Sequence, residues 1–274
     1  MSESGLEAWQ GQKGQNWAHH IDGLERLLEP VNAPWADSLR LDSARRIVDL
    51  ACGGGGSTRT LRDRSPRGAV VDGFDVSQEL VELASSRLAS RGVRVRHANI
   101  ASREPPDGPY DRVGSRFGVM FFDEPLAAFR NLRRWMSEGG CFSFAVWAEP
   151  GANPWAALVR EVVAEVASSP PPEPDTPGLF RYGSVEKLSA LLTAAGFSKL
   201  KHEVWRGVLP LGGSAEEAAH FALSAFWDLT RVLSAAGGST TREAQRRLTE
   251  RLREFEADGA VRMGATVHLV SGQG

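Results

Sequence analysis

One short segment constrains the fold of this chain more than any other. The apolar run Ile47–Leu50 is followed by four consecutive glycines, Gly53–Gly56, and then by residues typical of a helix. Glycine lacks a Cβ atom, so the chain can turn with positive φ and a ligand can approach the bare backbone. In doubly wound α/β sheets, ligands bind beyond the carboxyl ends of the strands, where the strand order switches. The segment therefore predicts a strand–turn–helix unit that binds a ligand.

The residues around this unit, from Arg46 to Trp147, alternate between short apolar strands and amphipathic helices. The pattern predicts further strands over residues 69–75, 93–97, 112–117 and 141–147, and helices over 77–91 and 125–136. Strands that alternate with helices imply right-handed crossovers and a parallel sheet. We therefore expect an α/β fold with a doubly wound, mostly parallel seven-stranded sheet and helical cap insertions.

The regular alternation of strands and helices ends after Trp147. We predict helices over residues 154–167, 184–195, 215–236 and 241–257, a proline-rich loop over 169–178, and strands over 197–208 and 264–270, the last strand antiparallel. The predicted organisation is an N-terminal helical cap (1–40), a cofactor-binding core (41–148), a cap insertion (149–183) and a C-terminal part of the sheet (184–274) with a helical insertion (213–258).

The glycine turn is not a complete dinucleotide fingerprint. In G-x-G-x-x-G the third glycine packs the helix on the strand, and here that position is Thr58 or Arg59. A Walker lysine is also missing at its spacing. A ligand without a pyrophosphate, such as S-adenosylmethionine, fits this turn better. Asp75 closes the second predicted strand about twenty residues later, where a carboxylate accepts hydrogen bonds from ribose hydroxyls. Its alternative role is to cap the next helix, which Ser77 can also do.

Charge and cysteine content exclude several classes of function. The formal net charge is −2, so no broad basic field exists to bind a phosphate backbone, and we expect no nucleic-acid partner. Cys52 and Cys141 form no C-x-x-C pair, so we expect no metal site. The N-terminal residues lack the pattern of a signal peptide, and no apolar run has the length of a membrane span. We therefore expect a cytoplasmic protein without membrane contact.

Several motifs, taken in order, resemble those of the class I methyltransferases. Asp49–Gly55 resembles the first motif D-x-G-x-G-x-G, with Ala51 in place of the first glycine. Residues 71–77 resemble V-x-G-x-D-x-S, and residues 115–122 resemble the S-R-F-G-V-M-F-F signature of a ubiquinone-methyltransferase-like branch. The glycine pair at 139–140, the A-G-F sequence at 195–197 and the tryptophans at 9 and 17 are also similar to this branch. The resemblance covers nearly the whole chain.

The resemblance implies S-adenosylmethionine as cofactor, S-adenosylhomocysteine as product, and a small-molecule acceptor. It implies that Ala51, Gly53 and Gly55 lie against the methionine part. Asp75 would bind the ribose, and Val76, Asn99 and Ile100 would lie at the adenine. The family commonly has Asp-Ala where Asn99 and Ile100 stand, so the usual carboxylate contact to the adenine amine is changed here. Ser115 and Arg116 would end the fourth strand near the reactive sulfonium.

The cap and the acceptor site are predicted from aromatic residues. An apolar or aromatic acceptor would be walled by some of the following side chains, for which the alternative is a place in the core: Trp17, Phe117, Phe121, Trp147 and Trp155. His20 is the candidate base, because on a helix it shares a face with Trp17, Leu24 and Leu27. Whether O, N or C is methylated stays open.

Two alternatives to methyl transfer remain at this point. The first is a non-methylating protein on the same fold, either a cyclase-like enzyme or a cofactor-binding scaffold, because fold does not dictate function. The second is a nicotinamide-dependent oxidoreductase, suggested by the glycine turn together with Asp75. The long helices predicted after residue 213 form either a homodimer face or a lid.

Overall fold

The computed structural model describes residues 5–168 and 175–274. Four short helices come first: α1 (Gly5–Gln10), α2 (Gln12–His19), α3 (Ile21–Leu28) and α4 (Asn32–Ser38). The alternating core then follows with β1 (Arg46–Leu50), α5 (Gly56–Arg64), β2 (Val70–Asp75), α6 (Gln78–Leu88), β3 (Arg94–His97), β4 (Tyr110–Arg116), α7 (Pro125–Arg134) and β5 (Met136–Trp147). This core matches the predicted alternation of strands and helices.

The rest of the described chain adds helices and the antiparallel part of the sheet. Its elements are α8 (Pro154–Val166), α9 (Val185–Ala194), β6 (Ser198–Gly212), α10 (Ala215–Ala225), α11 (Trp227–Ala236), α12 (Gly238–Leu252), β7 (Glu256–Ala257) and β8 (Ala260–Gln273). Most of the loop predicted over 169–178 lies outside the described residues, and residues 175–178 form turns and bends. None of the described helices is long and apolar enough to cross a membrane.

The sheet is doubly wound and mostly parallel, as predicted. Its strands follow the order β3-β2-β1-β4-β5-β8-β6, with the short β7 paired beside β8. The first five strands are parallel, and β8 lies antiparallel between β5 and β6. Since β1 pairs with both β2 and β4, the strand order reverses at β1. The carboxyl ends of β1, β2 and β4 therefore border the crevice where ligands bind in this class of sheet.

Helix α4 packs directly against the sheet. The indole Nε1 of Trp35 donates a hydrogen bond to the Ser143 carbonyl at 3.1 Å, and its ring is fully buried. Gly114 on β4 faces this ring, since a Cβ atom there would lie 2.7 Å from the Trp35 ring. We use the name cap for helices α1–α3 alone.

Several predicted element boundaries are wrong. The helix predicted over 215–236 is two helices that break at Phe226, because the Thr230 hydroxyl donates to the Leu223 and Ser224 carbonyls and the Asn16 amide donates to the Ala225 carbonyl. The helix predicted to reach residue 257 ends at Leu252. The helix predicted over 125–136 ends at Arg134, since Met136 already pairs with Tyr110 in the sheet.

Candidate cofactor site

A cavity of about 340 Å³ opens at the carboxyl ends of β1, β2 and β4, beneath the cap. Ten of the predicted site residues line it, namely Trp17, Ala51, Gly53, Asp75, Val76, Asn99, Ile100, Arg116, Phe117 and Phe121. The cap contributes Leu6, Trp9, Glu25 and Leu28, which the sequence analysis did not assign to the site. The cavity therefore has a sheet side made of strand ends and a cap side made of helices.

The carboxylate of Asp75 lies beside the glycine turn. Its Oδ2 accepts a hydrogen bond from the Gly53 amide at 2.8 Å, and its Oδ1 accepts one from the Ser77 amide at 2.9 Å. Burial raises the pKa of this carboxyl above its ordinary value, and the hydrogen bonds from Ser77 and Gly53 oppose that shift. The backbone thus fixes the carboxylate at the cavity wall, within reach of a ligand at the turn.

The four glycines of the turn serve different purposes. Gly53 has a φ of +53°, and the nearest atom to a Cβ placed there would be Trp17 Nε1 at 3.6 Å, so Gly53 faces open space in the cavity. A Cβ on Gly54 would lie 2.5 Å from Ile21, and a Cβ on Gly56 would lie 1.9 Å from Glu25. Of the four glycines in the turn, Gly53 is therefore the one that presents bare backbone to this cavity.

Gly55 does not line the cavity, contrary to the role predicted for it. Its φ is +88°, and a Cβ there would lie 2.9 Å from the Leu88 side chain of α6. The residue faces a second cavity, of about 400 Å³, on the outer side of the turn. Gly55 is required for the turn and for close packing on α6.

Two non-glycine residues at the cavity have left-handed backbones. Ala51 follows β1 with a φ of +55°, and Phe117 follows β4 with a φ of +64°. The two loops meet, because a Cβ on Gly118 would lie 2.4 Å from the Cβ of Ala51. Conformations of this kind cost about 1–3 kcal/mol each and cluster at ligand sites. The methyl group of Ala51 fits beside Gly118 because Gly118 has no side chain.

Arg116 and Glu25 join the end of β4 to the cap. The Arg116 Nη2 donates to Glu25 Oε2 at 2.9 Å, and Nη1 donates to Asn32 Oδ1 at 2.8 Å. Glu25 Oε1 also accepts the Gly56 amide at 3.1 Å, at the first residue of α5. Both side chains are largely buried. No local sequence motif predicts Glu25 as a site residue, because its partners Gly56 and Arg116 lie 31 and 91 residues away along the chain.

Asp49, the first residue of the predicted motif, is fully buried beneath the turn. Its Oδ2 accepts hydrogen bonds from the Ser57 and Thr58 hydroxyls at 2.7 Å each. Its Oδ1 has no partner among the described residues. Burial raises the pKa of this carboxyl to about 6, although the two hydroxyls and the charge of Arg116 lower it.

The end of the cavity beyond Asp75 is apolar. Val76, Leu80 and Ile100 line it, with Ala101 and Ser102 beside them. Asn99 uses its Oδ1 to accept the Ala101 amide at 3.0 Å, so the amide oxygen shapes its own loop. The His97 ring hydrogen-bonds the Val76 carbonyl at 2.8 Å, which holds the two loops together.

The aromatic residues form two layers. Trp17 and Phe121 line the cavity and flank Trp9, with ring centroids 5.5 and 5.1 Å from that indole. Phe117 also lines the cavity and stacks on Trp147 at 4.2 Å, and Trp147 packs on Trp155 at 4.9 Å. Trp147 and Trp155 are buried core residues behind Phe117 and do not line the cavity.

The structure does not bring His20 or Ser115 to the cavity wall. The predicted single helix breaks at His20, between α2 and α3, and the imidazole packs on Phe221 at 6.4 Å. Burial lowers the pKa of His20, as do the charges of His19 and His220. Ser115 is buried, and its hydroxyl donates to the Leu50 carbonyl at 2.9 Å, which ties β4 to β1 behind the turn.

A family profile described as a methyltransferase domain matches residues 47–140. The demethylmenaquinone methyltransferase of Thermus thermophilus is 30% identical over 203 residues, which are 66% of this chain and 89% of that enzyme. The chain spans about half to two thirds of the length of several other curated methyltransferases.

Two solved structures share the fold at low sequence identity. Phosphoethanolamine N-methyltransferase 2 of Haemonchus contortus, in complex with S-adenosylhomocysteine, aligns with a TM-score of 0.57 and 13% identity over 99% of this chain and 60% of its own. The [4+2]-cyclase SpnF aligns with a TM-score of 0.57 and 15% identity over 99% of this chain and 97% of its own.

Proposed function

This chain belongs to the class I S-adenosylmethionine-dependent methyltransferases that act on small molecules, and we propose that its acceptor is an apolar or aromatic metabolite bound between the cap and the carboxyl edge of the sheet. The observation that carries this proposal is the aromatic lining of the cavity under the cap. The position of Asp75 supports the cofactor site. Its carboxylate lies 2.8 Å from the Gly53 amide, on the wall of a cavity at the switch point of the sheet.

The cofactor is S-adenosylmethionine, and S-adenosylhomocysteine is the product. When bound, it supplies a methyl carbon already activated by a positively charged sulfur. The cavity fits such a molecule in two ways. Gly53 leaves open space that a side chain would fill, and at the wall the buried Nε of Arg116 has no partner among the described residues. Buried polar groups of this kind need a partner.

Each end of the cavity suits one part of the cofactor. We assign the ribose hydroxyls to Asp75, because two adjacent hydroxyls match the two acceptor oxygens of a carboxylate. The adenine is assigned to the apolar end at Val76, Asn99 and Ile100, and the methionine part to Ala51 and Gly53. Ser115 and Gly55 act behind the wall, where they hold the turn in shape.

The acceptor is assigned to the aromatic part of the cavity under the cap. Trp17 and Phe121 each contact Trp9 edge to face, and Phe117 is held by its stacking on Trp147. Rigid aromatic walls orient a flat or apolar acceptor, and orientation contributes several kcal/mol to a reaction between bound partners. The cap also excludes water, which protects a reactive sulfonium.

A general base is assigned to no residue. His20 lies outside the cavity wall, and of the described residues the carboxylates at the wall are Glu25, Asp75, Asp123 and Glu124. Asp123 already accepts hydrogen bonds from the Gly5 and Leu6 amides at the start of α1. An acceptor that arrives with a free lone pair needs no base, and positioning alone then suffices.

A dinucleotide fits this turn poorly. The pyrophosphate of a dinucleotide is bound by the N-terminus of the helix after the glycine turn. Here the Glu25 carboxylate accepts the Gly56 amide at 3.1 Å, so negative charge already occupies that helix end. This contact argues against the nicotinamide-dependent alternative.

Two measurements test the proposal. Calorimetric titration with S-adenosylmethionine and S-adenosylhomocysteine should give binding by the intact chain. Incubation with methyl-labelled cofactor and a panel of apolar, aromatic and polar metabolites should then transfer label to an apolar or aromatic member. Absence of cofactor binding would refute the assignment of the cavity. Binding without transfer to any acceptor would favour the non-methylating alternative, for which the fold shared with a cyclase is a precedent.

The remaining predictions belong to this proposal. We predict a division into cap, core and insertions at residues 40, 148 and 183. We also predict that the protein has no nucleic-acid partner. A cytoplasmic location and a homodimer through the late helices also stay predictions. Gel filtration and titration with duplex DNA would test the oligomeric state and nucleic-acid binding.

A further inference from the structure

The cap contains a lysine that is mostly buried. Only 14% of the Lys13 side chain on α2 is exposed, although lysines are almost never buried without a partner. Its Nζ lies 5.1 Å from the ring centroid of Trp9 and 4.9 Å from that of Phe121. Both distances fall within the range of about 6 Å over which an ammonium is attracted to the face of an aromatic ring. The ammonium of Lys13 is therefore held by two aromatic rings at once.

These two rings belong to the wall of the acceptor part of the cavity. Trp9 and Phe121 both line the cavity, and their rings meet edge to face at a centroid distance of 5.1 Å and an interplanar angle of 70°. Trp9 lies on α1, whereas Phe121 lies in the segment that follows β4. Lys13 itself lies outside the cavity lining, so its ammonium contacts the two rings from behind. It joins two pieces of wall that come from distant parts of the chain.

The ammonium of Lys13 is also paired with helix α11. Its Nζ lies 3.5 Å from Asp228 Oδ2, and the Asp228 side chain is exposed. Asn16, also on α2, donates a hydrogen bond to the Ala225 carbonyl at 3.0 Å. Helix α2 is thus attached on both sides of the break between α10 and α11. Helix α11 contributes no residue to the cavity lining in the described part of the chain, and yet it is linked to the acceptor wall through one lysine.

We propose that Lys13 is a positioning residue of the acceptor site. Its ammonium holds Trp9 and Phe121 at the angle at which they contact an acceptor, and Asp228 holds the ammonium. The inference rests on the proposed function, because it concerns the wall assigned to the acceptor. The ring contacts and the ion pair of Lys13 involve none of the residues assigned to the cofactor. Loss of the charge should therefore weaken the acceptor and leave the cofactor as it was.

Simple coverage of the two rings by the carbon chain of Lys13 is the competing explanation for the same contacts. Methionine distinguishes the two explanations, because its unbranched chain covers the rings but carries no charge. Arginine keeps the charge and is also attracted to aromatic faces. Coverage alone predicts that Lys13→Met behaves like the unaltered chain. A role for the charge predicts a loss in Lys13→Met that Lys13→Arg does not show.

The test uses 2-naphthol, a flat and neutral aromatic molecule, as the probe of the acceptor site. Calorimetry measures its affinity for the full chain saturated with S-adenosylhomocysteine, and separately the affinity for S-adenosylhomocysteine. We expect Lys13→Met to weaken 2-naphthol about 3- to 10-fold, the range that corresponds to the loss of two partly solvated cation–π contacts. Lys13→Arg should stay within about twofold of the unaltered chain. The affinity for S-adenosylhomocysteine should change by less than about twofold in both variants.

Arg26→Met is the matched control, because it removes another ion pair between the cap and the late helices, Arg26 Nη1 to Glu217 Oε1 at 4.0 Å. It should alter neither affinity. Unchanged binding of 2-naphthol by Lys13→Met, an equal loss in Lys13→Arg, or an equal loss in Arg26→Met overturns the inference. Failure of the unaltered chain to bind 2-naphthol would overturn the proposed acceptor class instead, so the two failures are distinguishable.

Nuclear magnetic resonance of the unaltered chain keeps the inference testable if Lys13→Met does not fold. The faces of aromatic rings shield nearby protons, so the methylene protons beside the Lys13 ammonium should resonate upfield of those of the exposed Lys199 and Lys201. Asp228→Asn should move the Lys13 signal toward the position of these two lysines, because the ammonium loses its anionic partner. A Lys13 signal that coincides with those of Lys199 and Lys201 in the unaltered chain overturns the inference.

Discussion

The two sides of the cavity are built in different ways. The sheet side consists of residues at the ends of consecutive strands, where Gly53 and Asp75 meet through a backbone hydrogen bond. The cap side consists of residues that reach the site only through long-range contacts, such as Glu25 on Arg116 and Trp9 on Phe121. A local sequence pattern therefore identifies the first side, while the second emerges only when the chain has folded.

The glycine turn lies at the boundary between these two sides. Gly53 faces the cavity, whereas Gly54 and Gly56 admit Ile21 and Glu25 of α3. The run of glycines suggests a ligand site, but the glycines have two different roles. One leaves room for a ligand, and the others leave room for side chains of the protein. The cap is fitted to the turn through the side chains that occupy the space beside Gly54 and Gly56.

The largest expected effect concerns α4, which separates the sheet side from the cap. Trp35→Ala should lower the free energy of unfolding by about 3–5 kcal/mol, because a fully buried indole leaves a cavity against β4 and β5. Urea denaturation followed by circular dichroism measures this. Trp9→Ala, on the half-buried cap helix α1, is the control and should lower it far less. Equal losses in both variants would place α4 with the cap.

On the sheet side, Asp75→Asn should weaken S-adenosylhomocysteine binding about 100-fold. The amide keeps one acceptor oxygen, but it cannot accept from the Gly53 and Ser77 amides and from two ribose hydroxyls together. Calorimetry measures the change. Asp63→Asn, an exposed substitution on α5, should leave the affinity as it was. If Asp75→Asn binds S-adenosylhomocysteine with unchanged affinity, the assignment of the ribose hydroxyls to Asp75 is wrong.

Protonation of Asp49 should couple binding to pH. Burial raises the pKa of this carboxyl from 3.8 to about 6, so in the folded protein it gains its proton as the pH falls through about 6. The methionine part assigned beside Ala51 and Gly53 carries an ammonium, and the neutral carboxyl beneath the turn attracts this charge less, so affinity for S-adenosylhomocysteine should fall up to about tenfold between pH 7 and pH 5. Asp49→Asn should flatten this dependence. A slope that persists in Asp49→Asn would assign the titration to another group.

The raised pKa of Asp49 also affects the free energy of unfolding when no ligand is bound. A carboxyl whose folded pKa lies above its unfolded value favours the folded state when it is protonated. Its contribution to the free energy of unfolding is therefore present below pH 3.8 and is lost as the pH rises through about 6. Denaturation of the unliganded Asp49→Asn variant should lack this component.

The smallest expected effect concerns the start of the cap. Asp123 accepts hydrogen bonds from the Gly5 and Leu6 amides at 2.9 and 3.2 Å. Asp123→Ala should remove about 1 kcal/mol of local stability, the usual value of such a helix-end contact. Amide hydrogen exchange should be faster in α1 and unchanged in β1–β5. Faster exchange throughout the sheet would contradict the separation of the two sides.

Much of the sheet could be predicted from the sequence because its signals are local. Apolar runs between Arg46 and Trp147 gave the parallel strands, and the spacing from Gly53 to Asp75 gave the ribose candidate. The predictions that are wrong depend on contacts between residues that are far apart in the sequence. The helix break at Phe226 depends on hydrogen bonds from the hydroxyl of Thr230 and the side-chain amide of Asn16. The helical spacing of apolar residues gives no information about those contacts.

The candidate site shows the same division. The prediction for His20 depends on one continuous helix, but the helix breaks there and the ring packs on Phe221. Trp147 was chosen as an aromatic at a strand end, but it lies one layer behind Phe117. Glu25 was missed because a single acidic residue on an amphipathic helix is expected on the solvent side.

The most direct measurement is a crystal structure of the chain with S-adenosylhomocysteine. The account predicts the ribose hydroxyls on the Asp75 carboxylate, the adenine beside Val76 and Ile100, and the methionine part beside Ala51 and Gly53. Density for the ligand at any other place, or a ribose remote from the Asp75 carboxylate, would contradict it.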